Sequence, residues 1–325
     1  MTTCLSATSR RAALGLIGAT FLTPRAALAA GLEVQSGTAF GTTWRLAGGQ
    51  GSGLAAFRPG IEAVLAEVDR QFSPWRADSA LSAFNASVGG VEETEADLLT
   101  VTRAALGIAR VSEGAFDPTV GPLVARWGFG PIHAGGAPDW RGIRAGATGL
   151  GKTRADLTLD LCGIAKGWAL DRVAALLRDS GAGAYLFELG GEFIALGDHP
   201  DGRAWRVAVE HPLAGQPPPV ALRLPGGMAA ATSGLAVQSY LLDGRLYGHI
   251  IDPAAGVPAT GALGSVTVAA PDAMTADGWA TALFAAGAED GPEMARAAGL
   301  AALFLSVEGG SLRRVVTGPM AELIL

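Results

Sequence analysis

Residues 160–167 read Asp-Leu-Cys-Gly-Ile-Ala-Lys-Gly, where a short β-like run (157–161) meets a long amphipathic helical pattern. A strand that breaks at glycine and feeds a helix leaves backbone N–H groups free to face an anion. Lys166, one of only two lysines in the chain (the other is Lys152), falls in the first turns of that helix. The helix dipole favours acids at that end, so a lysine there complements a bound phosphate and not the dipole. The stretch is not a P-loop, because the glycine spacing and the Lys-Ser/Thr ending are missing. A plain strand-to-helix turn fits the same residues equally.

Around this junction the pattern alternates between runs of strands and a few helices. Residues 32–40 and 42–47 flank Gly41 as a hairpin. Ile61, Val64, Leu65, Val68 and Phe72 recur at helical spacing. Asp78 is placed to cap a short helix over 79–85, and Thr94-Glu95-Ala96-Asp97 reads as a capping box for a helix reaching Val111. Residues 116–131 read as an ordered loop with one helical turn, and 133–149 as an exposed loop. After the helix to Ser180, a hairpin turns at Gly190-Gly191, and further strands fall at 205–210, 220–224, 228–231, 236–241, 246–249 and 264–269. Helices over 273–286 and 292–298 and a last hairpin (302–308, 312–317) complete the chain. Consecutive strand runs interrupted by helices indicate an α+β fold with a largely antiparallel or mixed sheet. No linker or repeat divides the chain, so 30–325 is expected to form one domain.

The formal net charge is −6, and the first 29 residues contribute three arginines and no acid. An acidic body without a basic run argues against nucleic-acid binding. The N-terminus carries Arg10-Arg11, an apolar stretch over 12–22, Arg25 and a small-residue ending at Ala27-Leu28-Ala29. That is the layout of a twin-arginine export signal, with an apolar part too short to span a membrane. Cleavage near Ala29 would leave a periplasmic protein with no stable membrane anchor. Only Cys162 would remain, so no internal disulfide could form.

Asp277 and Thr281 stand four apart on the 273–286 helix and share a face. A carboxylate and a hydroxyl form a partial shell for a hard cation. The same spacing suits a core threonine beside a solvated carboxylate. His249, in Gly248-His249-Ile250-Ile251-Asp252-Pro253, has the chemistry of a general base or of a structural hydrogen bonder. Thr232-Ser233-Gly234 offers hydroxyls, while Phe116, Trp127 and Phe129 suit either a flat ligand ring or packing beneath a loop.

Taken in order, several motifs resemble the FAD:protein FMN transferases, the ApbE-like flavin transferases. They are 160–167 with its helix, Leu189-Gly190-Gly191, Thr232-Ser233-Gly234, His249-Ile250-Ile251-Asp252-Pro253, and Asp277 with Thr281-Ala282-Leu283. The resemblance runs from about Gly37 to the C-terminus and implies a T-fold-like α+β architecture. It further implies that Phe40, Trp75, Ala115, Phe116, Asp117, Asp160, Lys166 and Ile251 line a FAD site. Asp277, Thr281 and the carbonyl of Gly163 would hold Mg²⁺. The chain departs from the family pattern at Phe40, where methionine is frequent, at Cys162, at Glu192, where Asp or Asn often follows the paired glycines, at Ala255 and at Gly278.

The expected reaction is Mg²⁺-dependent transfer of FMN from FAD to a Ser or Thr hydroxyl of an acceptor flavoprotein, with release of AMP. His249 or a nearby carboxylate would take the hydroxyl proton, and Asp277 would act through the metal. The same residues would equally serve hydrolysis of FAD to FMN and AMP; flavin binding without turnover is a further alternative, against which Asp277, Thr281 and Lys166 argue, since binding alone needs no metal at the diphosphate.

Overall fold

The structure, a computed structural model, describes residues 31–213, 215–236 and 238–325. The expected export signal lies outside the described residues.

Strand residues alternate in burial because successive side chains point to opposite faces of a sheet. Here that alternation serves one sheet of eight strands. In chain order these are β1 (Leu32–Ala39), β2 (Thr42–Gly49), β6 (Tyr185–Leu189), β7 (Glu192–Leu196), β10 (Ala229–Gly234), β15 (Leu263–Ala270), β16 (Ala301–Glu308) and β17 (Ser311–Thr317), and they lie side by side in the same order. Every neighbouring pair is antiparallel. The expected α+β class with an antiparallel sheet is what forms.

One face carries the helices. α1 (Arg58–Phe72), α3 (Ala96–Val111), α5 (Cys162–Asp179) and α6 (Ala273–Ala297) bury their apolar stripes in a core that includes Trp44, Phe187, Phe284 and Phe304. Each such side chain stabilises the fold by roughly 1.5–3 kcal/mol relative to an exposed one. The other face is covered by a hairpin, β8 (Trp205–Val209) with β9 (Val220–Leu224), and by α7 (Met320–Leu323). The two helices expected over 273–298 run on as α6, broken at Gly287, whose φ of 85° interrupts the helix. No helix among the described residues is long and apolar enough to cross a membrane.

α5 and α6 run antiparallel and in close contact. A Cβ on Gly167 would lie 2.3 Å from the Ala273 carbonyl oxygen, so only glycine allows the approach. Asp171 of α5 accepts bonds from the N–H groups of Ala273 (2.8 Å) and Met274 (2.9 Å), which fastens the start of α6.

Four local expectations differ. The run at 157–161 has no sheet partner, because the Asn85 side chain stands in for a strand: it donates to the Leu159 carbonyl at 2.8 Å and accepts from its N–H at 2.7 Å. The short helix α2 (Ala80–Ala86) is capped by Ser79, which accepts from Ser82 N–H at 3.0 Å, while Asp78 pairs with Arg76. The capping box at 94–97 does not close, since Thr94 Oγ1 instead donates to Glu92 and accepts from Leu150 N–H. The expected loop at 133–149 contains β4 (Ile143–Ala145) and leads into β5 (Gly149–Lys152), which pairs with β3 (Gly90–Glu93) and β4.

Candidate active site

The turns at Phe40-Gly41 and Gly190-Gly191 lie at the same end of the sheet, because β2 and β6 pair antiparallel from Trp44↔Leu189. Gly190 (φ 60°) donates its N–H to the Thr43 carbonyl, and a Cβ there would meet Thr42 at 2.9 Å. The close approach requires glycine.

α5 and α6 bring the expected metal ligands to this end. Thr281 Oγ1 lies 3.3 Å from the Gly163 carbonyl oxygen and 3.2 Å from Ser233 Oγ, on β10. Asp277, one turn earlier on α6, is buried, and its Oδ2 accepts from Gly167 N–H at 2.8 Å. Burial raises its pKa, against the opposing pull of Lys166 and the Gly167 bond. A Cβ on Gly163 would crowd Thr281 at 3.0 Å and Phe116 at 3.3 Å, so glycine leaves that carbonyl accessible beside the hydroxyl. This set of a carboxylate, an alcohol and a carbonyl has the all-oxygen chemistry of a hard-cation site, and it fits Mg²⁺. Among the described residues no three His, Cys, Asp or Glu side chains converge on a metal position.

Lys166 extends from the first turns of α5 to Glu192 on β7, Nζ to Oε1 at 2.5 Å. Burial opposes the ammonium, but Glu192 and Asp277 outweigh it and raise its pKa, so Lys166 stays protonated. Burial raises the Glu192 pKa, while the Lys166 ammonium bonded to it holds it down. Asp160 accepts from Cys162 N–H at 3.0 Å and so helps start α5. Burial raises its pKa too.

The residues before α4 (Gly121–Arg126) are also ordered. Phe116 is buried against Gly163, with its N–H on Ser112 Oγ and with Ala115 half-buried beside it. Asp117 turns into its own loop: Oδ1 accepts from both the N–H and the hydroxyl of Thr119. Its pKa is raised by burial. Ile251 is buried in β13 (Ile251–Asp252), opposite Pro258 of β14 (Val257–Pro258). Trp75 is 63% exposed in the loop between α1 and α2.

His249 follows a hairpin made of β11 (Ser239–Leu242) and β12 (Arg245–Gly248). Its Nδ1 faces the Gln238 carbonyl at 3.2 Å, which assigns the proton to Nδ1 and leaves Nε2 as the acceptor. Burial, the largest influence, lowers its pKa, and the Lys166 charge acts in the same sense. Trp127 and Phe129 are packed by the hairpin, stacking on Tyr247 (5.4 Å) and Tyr240 (5.2 Å), while Phe129 meets the His249 ring edge-on. Both rings thus pack against the hairpin.

The geometry thus joins Gly163, Phe116, Thr281 and Ser233 directly, with Asp277 one helical turn from Thr281 and bonded to Gly167, next to Lys166 in the chain. Ser233 and Glu192 were missing from the expected site. Ser233 lies in a motif already visible in the chain, and Glu192 is the one charge in the strand Glu-Phe-Ile-Ala-Leu. At Gly278, a departure from the family pattern, Ile108 and Ile164 fill the space that a Cβ would need.

A FAD:protein FMN transferase from Klebsiella pneumoniae (strain 342) is 36% identical over 317 residues, covering 90% of each chain. One from Vibrio cholerae serotype O1 is 38% identical over 282 residues, covering 81% of this chain and 84% of the relative. The crystal structure of the Pseudomonas stutzeri flavinyl transferase ApbE in its apo form matches with a TM-score of 0.79 at 32% identity, over 90% of this chain and 96% of that one. The sequence model of the ApbE family matches residues 40–304, and the chain belongs to that family.

Proposed function

We propose that this protein transfers FMN from FAD to a Ser or Thr hydroxyl of an acceptor protein. The hydroxyl oxygen attacks the phosphorus on the FMN side of the diphosphate, the bond to the bridging oxygen breaks, and AMP leaves. The observation that carries the proposal is that α6 packs Thr281 on the Gly163 carbonyl and Asp277, one turn earlier, on Gly167 N–H, at the turn of α5 that bears Lys166. The names of its relatives support the same activity.

Gly163, Asp277 and Thr281 would hold Mg²⁺. When bound, the cation supplies Lewis-acid stabilisation of charge on the phosphoryl oxygens. Lys166, protonated throughout the neutral range, orients the diphosphate and offsets its charge. His249, neutral at pH 7 because its pKa is lowered, accepts the hydroxyl proton at Nε2. Phe40, Trp75, Ala115, Phe116, Asp117, Asp160 and Ile251 shape the FAD site by the family resemblance, Phe116 by packing on the Gly163 segment and Asp160 by holding the start of α5.

Purified protein, FAD and Mg²⁺ are incubated with a candidate acceptor, and covalent FMN is read by mass spectrometry alongside AMP release. Asp277→Ala should reduce transfer about 100-fold or more, the range for loss of a transition-state electrostatic partner. FMN and AMP formed equally fast with no acceptor would instead identify a hydrolase. Tight FAD binding without turnover would identify a binding protein.

The proposal includes export to the periplasm by the twin-arginine route, supported by Arg10-Arg11 and the apolar and small-residue stretches after it. The mature N-terminus should begin near residue 30, and replacing both arginines with lysine should leave the protein in the cytoplasm.

A further inference from the structure

Glu192 begins β7 directly after the Gly190-Gly191 turn and is 2% exposed. A carboxylate this deep costs free energy that its partner only partly returns, and an apolar side chain would suit the strand better. Oε1 is bonded to Lys166 Nζ, whereas Oε2 is buried with no hydrogen-bond partner among the described residues. Lys166 keeps 36% of its side chain exposed, so the pair has a buried anionic base and a cationic end at the site.

Two carboxylates attract this one ammonium, Glu192 from β7 and Asp277 from α6. A lysine is a flexible point charge, so its position is set by whichever carboxylate holds it. We propose that Glu192 is a positioning residue that keeps Lys166 off Asp277, leaving the Asp277 carboxylate available to a divalent cation. The inference rests on the function proposed above. Without the Glu192 charge, Lys166 turns to Asp277, and lysine and cation compete for one carboxylate.

The test is Mn²⁺ binding to the full chain without FAD, by the loss of free-ion EPR signal. Glu192→Gln keeps side-chain volume and removes the charge. It should weaken Mn²⁺ binding about tenfold, within the range seen when a residue supporting a metal ligand is changed. Lys166→Met in the Glu192→Gln background should restore binding to near the wild-type value, a rescue that a merely structural role would not give. Glu192→Asp, which keeps the charge, should lie between the two and serves as the reporter if Glu192→Gln does not fold. Wild-type affinity in Glu192→Gln, or no recovery in the double variant, would overturn the proposal. Unchanged Mn²⁺ binding in Asp277→Ala would overturn the metal assignment itself, which keeps the two failures distinct.

Discussion

Phe40 stands at φ 51° and Gly41 at 73°, the two left-handed positions of a two-residue hairpin turn. Asn-Gly suits that turn, and a bulky residue in the left-handed region costs about 1–2 kcal/mol. Phe40→Asn should relieve that strain while losing partial burial against the core, so the thermal midpoint should change little. FAD affinity, measured by flavin fluorescence, should fall if the ring is kept there to meet the flavin; unchanged affinity would remove Phe40 from the site. Asp277 and Thr281 could be paired on paper because helical spacing is local. Glu192 could not be, because its partner Lys166 lies 26 residues away on another element.

Helices α1, α3, α5 and α6 were legible because apolar spacing along one segment reports its own buried face. Caps were less so, since Ser79 and Asp78 offer equivalent chemistry and only the turn geometry chooses Ser79. The segment 157–161 misled for a related reason: it is extended and buried like a strand, but the backbone of Leu159 at its centre is paired by a side chain 74 residues away. That makes Asn85 a test of the element. Asn85→Ala leaves the Leu159 N–H and C=O without these partners and should cost about 1–3 kcal/mol, read by chemical denaturation. Because the segment carries Asp160 and leads straight into Gly163, FAD binding should weaken too, whereas a purely stabilising role would leave it intact at low temperature. Gly167→Ala tests the α5–α6 contact. Its Cβ would meet the backbone of Ala273 and Met274, which cannot move aside like a side chain, so a loss of about 1–3 kcal/mol or more is expected.

Across the whole molecule, alternate residues of the same strands serve both cores. Ala229 and Ala231 face the helices while Ala230 faces the β8–β9 hairpin, and Val268 and Ala270 alternate in the same way with Ala269. On β16, Ala302 and Phe304 belong to one core, and Ala301, Leu303 and Leu305 to the other. A strand cannot lose one set without releasing the other, so the two layers should unfold together as the single domain proposed for 30–325. Trp205 offers a probe on the opposite face of the sheet from α5 and α6. It is buried on the hairpin side, donates its Nε1–H to the Gly197 carbonyl at 3.1 Å and meets the His199 ring edge-on. Trp205→Ala should cost about 3–5 kcal/mol through the lost burial and the cavity. The loss should appear equally in far-UV circular dichroism and in the temperature at which bound FAD is released, with one shared transition before and after the change. If the hairpin side melted first while flavin stayed bound, the two cores would be independent units, and the shared strands would not couple them.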